Sequence, residues 1–322
     1  MKINPTMTNY SWIPKGNGPS ATSRAVPELP EVETVRRGLE RHFAGRRIRD
    51  VELRRGDLRF PFPEGFGGML QGRLVERVDR RAKYLLIRLE GGLTWLCHLG
   101  MSGRWTLLGD DLESRPGRFA NGASVGSGEG PHDWVVIHLG TGSRAVYSDH
   151  RRFGIMDCFP TDQQDSHKLL ASLGPEPTPN HLTPMELAEG LRGRRTPIKS
   201  ALLDQKTVAG LGNIYVCEIL HRARVSPRRS AASVAGRTAV SGRVERITGA
   251  THDVITEAID AGGSTLQDFR GVDGDDAMGY FTHNFLVYGR EDEPCLGDGC
   301  SGTVSRIVQS NRSTFFCPVC QR

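Results

Sequence analysis

Four cysteines within the last 28 residues have the spacing of a metal site: Cys295-x4-Cys300, then sixteen residues, then Cys317-x2-Cys320. Zinc favours four thiolates in a tetrahedron, and two close pairs carried on turns supply them with little loss of chain freedom. No spare ligand lies nearby, so the expected role is structural, with one zinc ion as cofactor. Between the pairs, Thr303–Val308 and Ser313–Phe316 read as strands meeting at Gln309–Arg312, a β-hairpin finger with Arg306 and Arg312 towards its tip. A hairpin this short buries too little apolar surface to fold alone, so the metal is its main stabiliser. Cys97, Cys158 and Cys217 stand singly in apolar settings. An odd total of seven in a long chain fits a reducing compartment rather than a disulfide framework.

The second chemically loaded stretch is Pro27-Glu28-Leu29-Pro30-Glu31-Val32-Glu33. Pro30 suits the first turn of a helix, and Glu31 and Glu33 sit at the positive end of its dipole. Val32, Val35, Leu39 and Phe43 then share one face, with Arg36, Arg37, Glu40 and Arg41 outside it. From Ile48 to about Phe159 the pattern changes to short strands, at 48–54, 74–79, 84–89, 93–98, 104–108, 134–139 and 144–148. Seven strands separated by Gly- or Asp-rich turns predict a β-sandwich or barrel-like core. The stretch 118–130 reads as a flexible loop lengthening one connection. Residues 161–182, rich in proline, read as a hinge linker. Helical signals follow: a segment capped by Thr183, another from Pro197 to Asp204, and a third after Gly210-Leu211-Gly212-Asn213. A long helix covers 242–261, stopped by Gly262-Gly263. The expected class is α+β: an N-terminal domain over 27–160, the linker, a helical domain over 183–289 and a zinc finger over 290–322.

The 322 residues carry a net charge of +5, but unevenly. Residues 27–109 and 183–230 are each +5, whereas 110–182 and 231–322 are each −4. Two basic blocks around an acidic stretch fit the two lips of a groove for a polyanion, and fit ordinary solvated faces equally well. No apolar run approaches the ~18 residues of a membrane span. Residues 1–26 lack acidic groups and an apolar segment of signal-peptide type, and are expected to be disordered.

The stretch from Pro27 to Leu39 closely resembles the N-terminus of bacterial formamidopyrimidine-DNA glycosylases. The likeness continues through Arg80-Arg81-Ala82-Lys83-Tyr84-Leu85-Leu86, His98-Leu99-Gly100-Met101-Ser102-Gly103, Asp149-His150-Arg151-Arg152-Phe153-Gly154 and Leu173-Gly174-Pro175-Glu176-Pro177. It ends with Gly210-Leu211-Gly212-Asn213-Ile214-Tyr215, similar to the family's helix–two-turn–helix motif, and with the zinc finger. The resemblance implies a bifunctional repair enzyme for oxidised purines such as 8-oxoguanine and formamidopyrimidines. Such an enzyme flips the damaged nucleotide from duplex DNA, cuts its glycosidic bond and nicks the abasic site by β,δ-elimination. It implies a monomer with no membrane partner, in the bacterial cytoplasm on the nucleoid.

By the same resemblance Pro27 supplies a secondary amine as nucleophile, and Glu28 is the general acid at the sugar ring oxygen. Lys83 contacts phosphate and moves a proton in β-elimination, and Arg312 does so in δ-elimination. Met101, Arg151 and Phe153 match the wedge that fills the space of the flipped base. His132, Arg194, Lys199 and Asn213 are placed on the DNA backbone. The segment 268–281 resembles the mobile loop over the lesion base, with an Asp-rich middle longer than usual.

Two features depart from the family pattern. A four-residue gap separates Cys295 and Cys300 where two is commoner, a spacing zinc tolerates. More consequentially, an attached leader makes the Pro27 nitrogen a tertiary amide with a delocalised lone pair. Val26 stands where the family has its initiator methionine, so the mature chain is expected to begin at Pro27. Two alternatives stay open: an endonuclease VIII-like enzyme for oxidised pyrimidines, and a non-catalytic zinc-dependent binder of damaged DNA with Pro27 blocked. Leu29 stands against the first, because that branch has glycine there.

Overall fold

In the computed structural model, which describes residues 26–109, 128–140, 142–236, 239–264 and 284–322, the first element is helix α1 (Leu29–Phe43). The leader over 1–25, most of the 118–130 loop and the 268–281 segment lie outside the described residues.

Eight strands follow: β1 (Ile48–Leu53), β2 (Val75–Arg81), β3 (Tyr84–Leu89), β4 (Leu93–His98), β5 (Arg104–Leu108), β6 (Asp133–Leu139), β7 (Arg144–Ser148) and β8 (Ile155–Pro160). A short helix α2 (Phe66–Leu70) sits between β1 and β2. The strands form two antiparallel sheets, ordered β1-β6-β7-β5 and β2-β3-β4-β8. The α+β expectation holds, with one strand more than the seven read from the sequence. That eighth strand pairs along β4, with Cys97 opposite Met156. Its Pro160 is tolerated because it is the last residue of an edge strand.

The sandwich core is aromatic. Trp105 lies between Trp95 and Tyr147, with ring centroids 5.6 and 5.2 Å away, and Phe43 of α1 reaches it at 6.1 Å. Val32, Val35 and Leu39 of α1 join the same cluster, as the 3.6-residue period requires.

The 161–182 segment contains a 3-10 helix (Thr161–Ser166) and is pinned rather than loose. Leu170 packs with Leu86, Leu96 and Phe159 on the outer face of the second sheet. Beyond it come α3 (Pro184–Leu191), α4 (Ile198–Leu203), α5 (Asn213–Arg222), α6 (Ala231–Ala235) and α7 (Gly242–Asp260). Thr183 and Glu186 cap α3 reciprocally. The helices share one apolar core, and Leu29 of α1 belongs to it. Burying one leucine side chain is worth ~2 kcal/mol, so α1 is anchored in both halves of the molecule.

The finger consists of β9 (Ser305–Gln309) and β10 (Arg312–Phe316). Ser310 and Asn311, both at positive φ, form the two-residue turn expected of a tight hairpin. Among the described residues no helix is long and apolar enough to cross a membrane.

Candidate active site and metal centre

Two tight turns bring the site together. Before α5 the chain runs Gly210-Leu211-Gly212, and α5 has no side-chain cap of its own. Its first N–H groups are therefore free for an outside acceptor. Glu28, from the far end of the sequence, takes that place: its carboxylate accepts from Ile214 N at 2.9 Å and Tyr215 N at 3.4 Å. Any side chain at Gly212 would overlap the Glu28 carboxyl group, and one at Gly210, where φ is +90°, would press on Leu29. The backbone contact Leu29 N to Gly210 O, 3.2 Å, closes the junction.

Glu28 is 3 % exposed. Burial pushes its carboxyl up to about 7; Lys83 nearby pulls the other way, Glu31 adds to the rise, and the two α5 N–H groups oppose it. Desolvation outweighs the helix dipole and the ammonium together. Glu31, fully buried, accepts from Glu28 N at 2.9 Å, Tyr215 Oη at 2.6 Å, and Ser264 N and Oγ at 2.7 and 2.8 Å. It ties α1 to α5 and to the end of α7.

Lys83 follows Ala82, which is held at positive φ in the β2–β3 turn. Its Nζ donates to Leu211 O at 2.8 Å. Burial lowers its pKa, Glu28 opposes that, and Arg312 adds to the lowering. Glu176 holds the turn, accepting from Arg80 at 2.7 Å, Arg81 at 2.9 Å and Ala82 N at 2.5 Å. From below, Lys199 donates to Ser313 O at 3.0 Å and Thr314 Oγ1 at 2.7 Å, and Asn213 Nδ2 donates to the same Ser313 carbonyl at 3.0 Å. Lys199 is fully buried, so in this structure its ammonium supports the hairpin rather than standing open to solvent. Burial lowers its pKa, and Arg312 nearby contributes. The Glu28–Lys83–Lys199–Asn213 group thus underlies Arg312, which is exposed beyond the hairpin turn.

A second cluster lies on two adjoining loops. Met101, Arg151 and Phe153 are partly exposed rather than core, and the Arg151 guanidinium lies 4.9 Å from the Phe153 ring centroid. Asp149, fully buried, organises both loops: it accepts from Ser102 Oγ, from Arg152 N at 3.1 Å and from Gly154 N at 2.8 Å. His132 stands beside them, its ring 5.9 Å from Trp134 and 6.1 Å from His150. Arg194 is set apart from these groups, its guanidinium donating to Asp204 at 2.7 Å.

At the finger, Cys295, Cys300, Cys317 and Cys320 place all four sulfurs within 4.8 Å of one another. Cys295 and Cys320 Sγ are 3.8 Å apart, and Cys300 and Cys317 Sγ 3.6 Å. A tetrahedron with Zn–S bonds of ~2.3 Å has edges of ~3.8 Å, so the thiol set fits one zinc ion with no position left for substrate.

This combination of a buried acid on a glycine-framed helix start, a lysine turn and a four-thiol finger has clear counterparts. Family models match residues 26–156 (formamidopyrimidine-DNA glycosylase N-terminal domain), 173–270 (the H2TH domain of the same enzymes) and 292–322 (a zinc finger found in FPG and IleRS). The chain belongs to the formamidopyrimidine-DNA glycosylase family. A relative of that name from Azorhizobium caulinodans is 55% identical over 298 residues, covering 92% of this chain and all of the relative. One from Ruegeria pomeroyi is 52% identical over 297 residues with the same coverage. Among solved structures, a Lactococcus lactis FPG mutant in complex with Fapy-dG-containing DNA superimposes with TM-score 0.77 at 30% identity, over 92% of this chain and all of that one. The zinc cofactor of these glycosylases accordingly has its place in the four cysteines.

Sequence reasoning missed several supports. The sequence marks Glu31 as a dipole partner, Gly212 and Tyr215 as part of a turn-and-helix motif and Asp149 as part of a family-like block, none of them as a support, and Ser264 carries no signal at all. One signal was available: Glu218 interrupts the apolar face of Ile214-Tyr215-Val216-Cys217-Glu218-Ile219-Leu220, and a carboxylate there must find donors.

Proposed function

We propose that this glycosylase acts on oxidised purines through a liberated Pro27 amine. The family's reaction is DNA glycosylase chemistry in base excision repair, with lyase activity at the abasic site. The residue roles below are our assignment. The observation that carries them is Glu28: a carboxyl group beside Pro27 that caps the start of α5 and is raised to about 7 holds a proton that it can deliver near neutral pH.

In this scheme the neutral Pro27 amine forms a bond to C1′ of the sugar, and the base departs with the glycosidic electron pair and takes up the proton that the amine nitrogen sheds. Glu28 protonates the ring oxygen as the sugar opens, leaving an iminium that serves as an electron sink. Loss of a C2′ proton then expels the 3′-phosphate, and a second elimination releases the 5′-phosphate. Lys83 and Arg312 neutralise these phosphates and relay protons; a lysine with a lowered pKa suits that exchange. Met101, Arg151 and Phe153 occupy the vacated stack, while His132, Arg194, Lys199 and Asn213 hold the backbone or its support. The sandwich over 27–160 supplies Pro27, Glu28 and Lys83, and the helical domain over 183–289 and the finger over 290–322 close on the DNA. Bound zinc cross-links the finger and offers no open coordination position. The reaction takes place in the bacterial cytoplasm, on nucleoid DNA.

Pro27 must be the first residue of the active form, because its nitrogen is otherwise an amide. Protein produced in its native host is to be analysed by intact mass and by borohydride trapping on duplexes carrying 8-oxoguanine or thymine glycol. A mass starting at Pro27 and covalent capture favouring 8-oxoguanine are expected. An intact leader with normal excision, or capture favouring thymine glycol, overturns the corresponding part of the reading.

A further inference from the structure

One stripe of α5 faces the finger. Ile214, Glu218 and His221 follow at the i, i+4, i+7 spacing of a single helix face. Ile214 packs with Val287, Tyr288, Val304 and Phe315. Glu218 accepts from Leu286, Val287 and Tyr288 N at 2.8, 3.1 and 2.8 Å. His221, 3 % exposed, ends the stripe with Nε2 3.3 Å from Cys295 Sγ and 3.8 Å from Cys320 Sγ. The ring lies against one edge of the thiol tetrahedron. Its Nδ1 is buried and makes no hydrogen bond among the described residues, so the ring's polar commitment is to the sulfurs.

We propose that His221 is an outer-sphere partner of the finger zinc, its Nε2–H shared between the Cys295 and Cys320 thiolates. Zinc-bound thiolates only accept hydrogen bonds, so the shared proton resides on Nε2. Donation withdraws charge from the two sulfurs, lowers their reactivity and fixes their orientation, as supporting groups commonly do at metal sites. It also fastens the metal to the helix whose start, two turns or ~10 Å away, holds Glu28. His221 is therefore a positioning residue, linking the finger to the acid through one rigid helix.

The test uses the full-length zinc-loaded protein and its cobalt-substituted form. His221→Phe keeps the ring volume without a donor, and His221→Gln restores an N–H. Expected for His221→Phe are ~10–100-fold weaker zinc retention against a chromophoric chelator, faster alkylation of the thiolates, and a sulfur-to-cobalt charge-transfer band at lower energy. The cobalt d–d bands should stay those of a four-sulfur site, and His221→Gln should fall between Phe and the parent. Unchanged charge transfer and zinc retention in folded His221→Phe would overturn the proposal. So would altered d–d bands, which make His221 a ligand, or equal losses in Phe and Gln without a band shift, which make its role packing. If His221→Phe does not fold, His221→Leu, which also lacks a donor, is read in its place, an unshifted charge-transfer band being the negative result.

Discussion

Two sites among the described residues hold buried acidic groups by opposite means. At the finger four sulfurs crowd within 4.8 Å, a cluster that remains deprotonated only around a divalent cation. At the α1–α5 junction Glu28 and Glu31 lie side by side with no metal, facing backbone N–H groups, a tyrosine, a serine and a lysine. Dipoles and one ammonium are weaker compensation than a metal ion, and burial drives Glu28 up to about 7. The contrast separates a fixed charge, suited to holding shape, from a proton held near its release point, suited to chemistry.

The comparison breaks most severely by removing the metal. Structural zinc sites carry on the order of 10 kcal/mol of folding free energy, so chelation should melt the hairpin while leaving the sandwich folded. Duplex binding should then weaken almost uniformly across sequences if, as proposed, arginines on the hairpin meet phosphates. Circular dichroism and a binding titration with metal loss confirmed would reveal this; full affinity after zinc loss contradicts it.

Glu28→Gln tests the other half. Base excision in single-turnover assays should fall ~10²–10⁴-fold, the usual contribution of an acid–base group. Stability should move the other way with pH. Folded Glu28 keeps its proton to about 7, while the unfolded carboxyl loses its proton in the ordinary range, so between those values the folded state binds more protons. Wild-type stability therefore declines as pH rises through that window, by ~3 kcal/mol for this group at ~1.4 kcal/mol per unit. The glutamine variant should lack that slope in urea melts at pH 5 and pH 8, and an identical slope in both proteins refutes the buried acid.

Gly212→Ala sharpens the same junction with a smaller change. The added methyl collides with the Glu28 carboxyl, and overpacking of this kind costs ~1–3 kcal/mol. Excision should suffer along with the melting temperature. A variant that melts lower but retains full single-turnover rates would separate the fold from the placement of the acid. The smallest effect is expected at the rim: Arg37, about half exposed, pairs with Glu33 across one helical turn at 3.0 Å. Arg37→Ala should change stability by less than ~0.5 kcal/mol, and a larger loss would mean that the α1 surface belongs to the network.

The finger was readable almost residue by residue, down to the hairpin turn, because its ligands lie close in the chain and thiol chemistry has few alternatives. Helices α1, α3 and α7 were equally plain from apolar period and capping groups. Strand β8 escaped the strand count because its closing proline resembles a linker. Glu31, Glu176 and Asp149 were unreadable as supports, since each looks like an ordinary polar residue of a helix start or loop until distant donors surround it.

Sequence alone thus determined what is local: the four-thiol spacing, the amphipathic periods and the glycines that allow tight turns. Family likeness named the chemistry beyond that. Only the tertiary structure decided that Glu28 caps a helix starting 185 residues later, and that Lys83 reaches the carbonyl of Leu211. Periodicity and capping act through neighbours in the chain, whereas a carboxyl's proton affinity depends on the water excluded and the charges gathered around it, which exist only once the chain has folded.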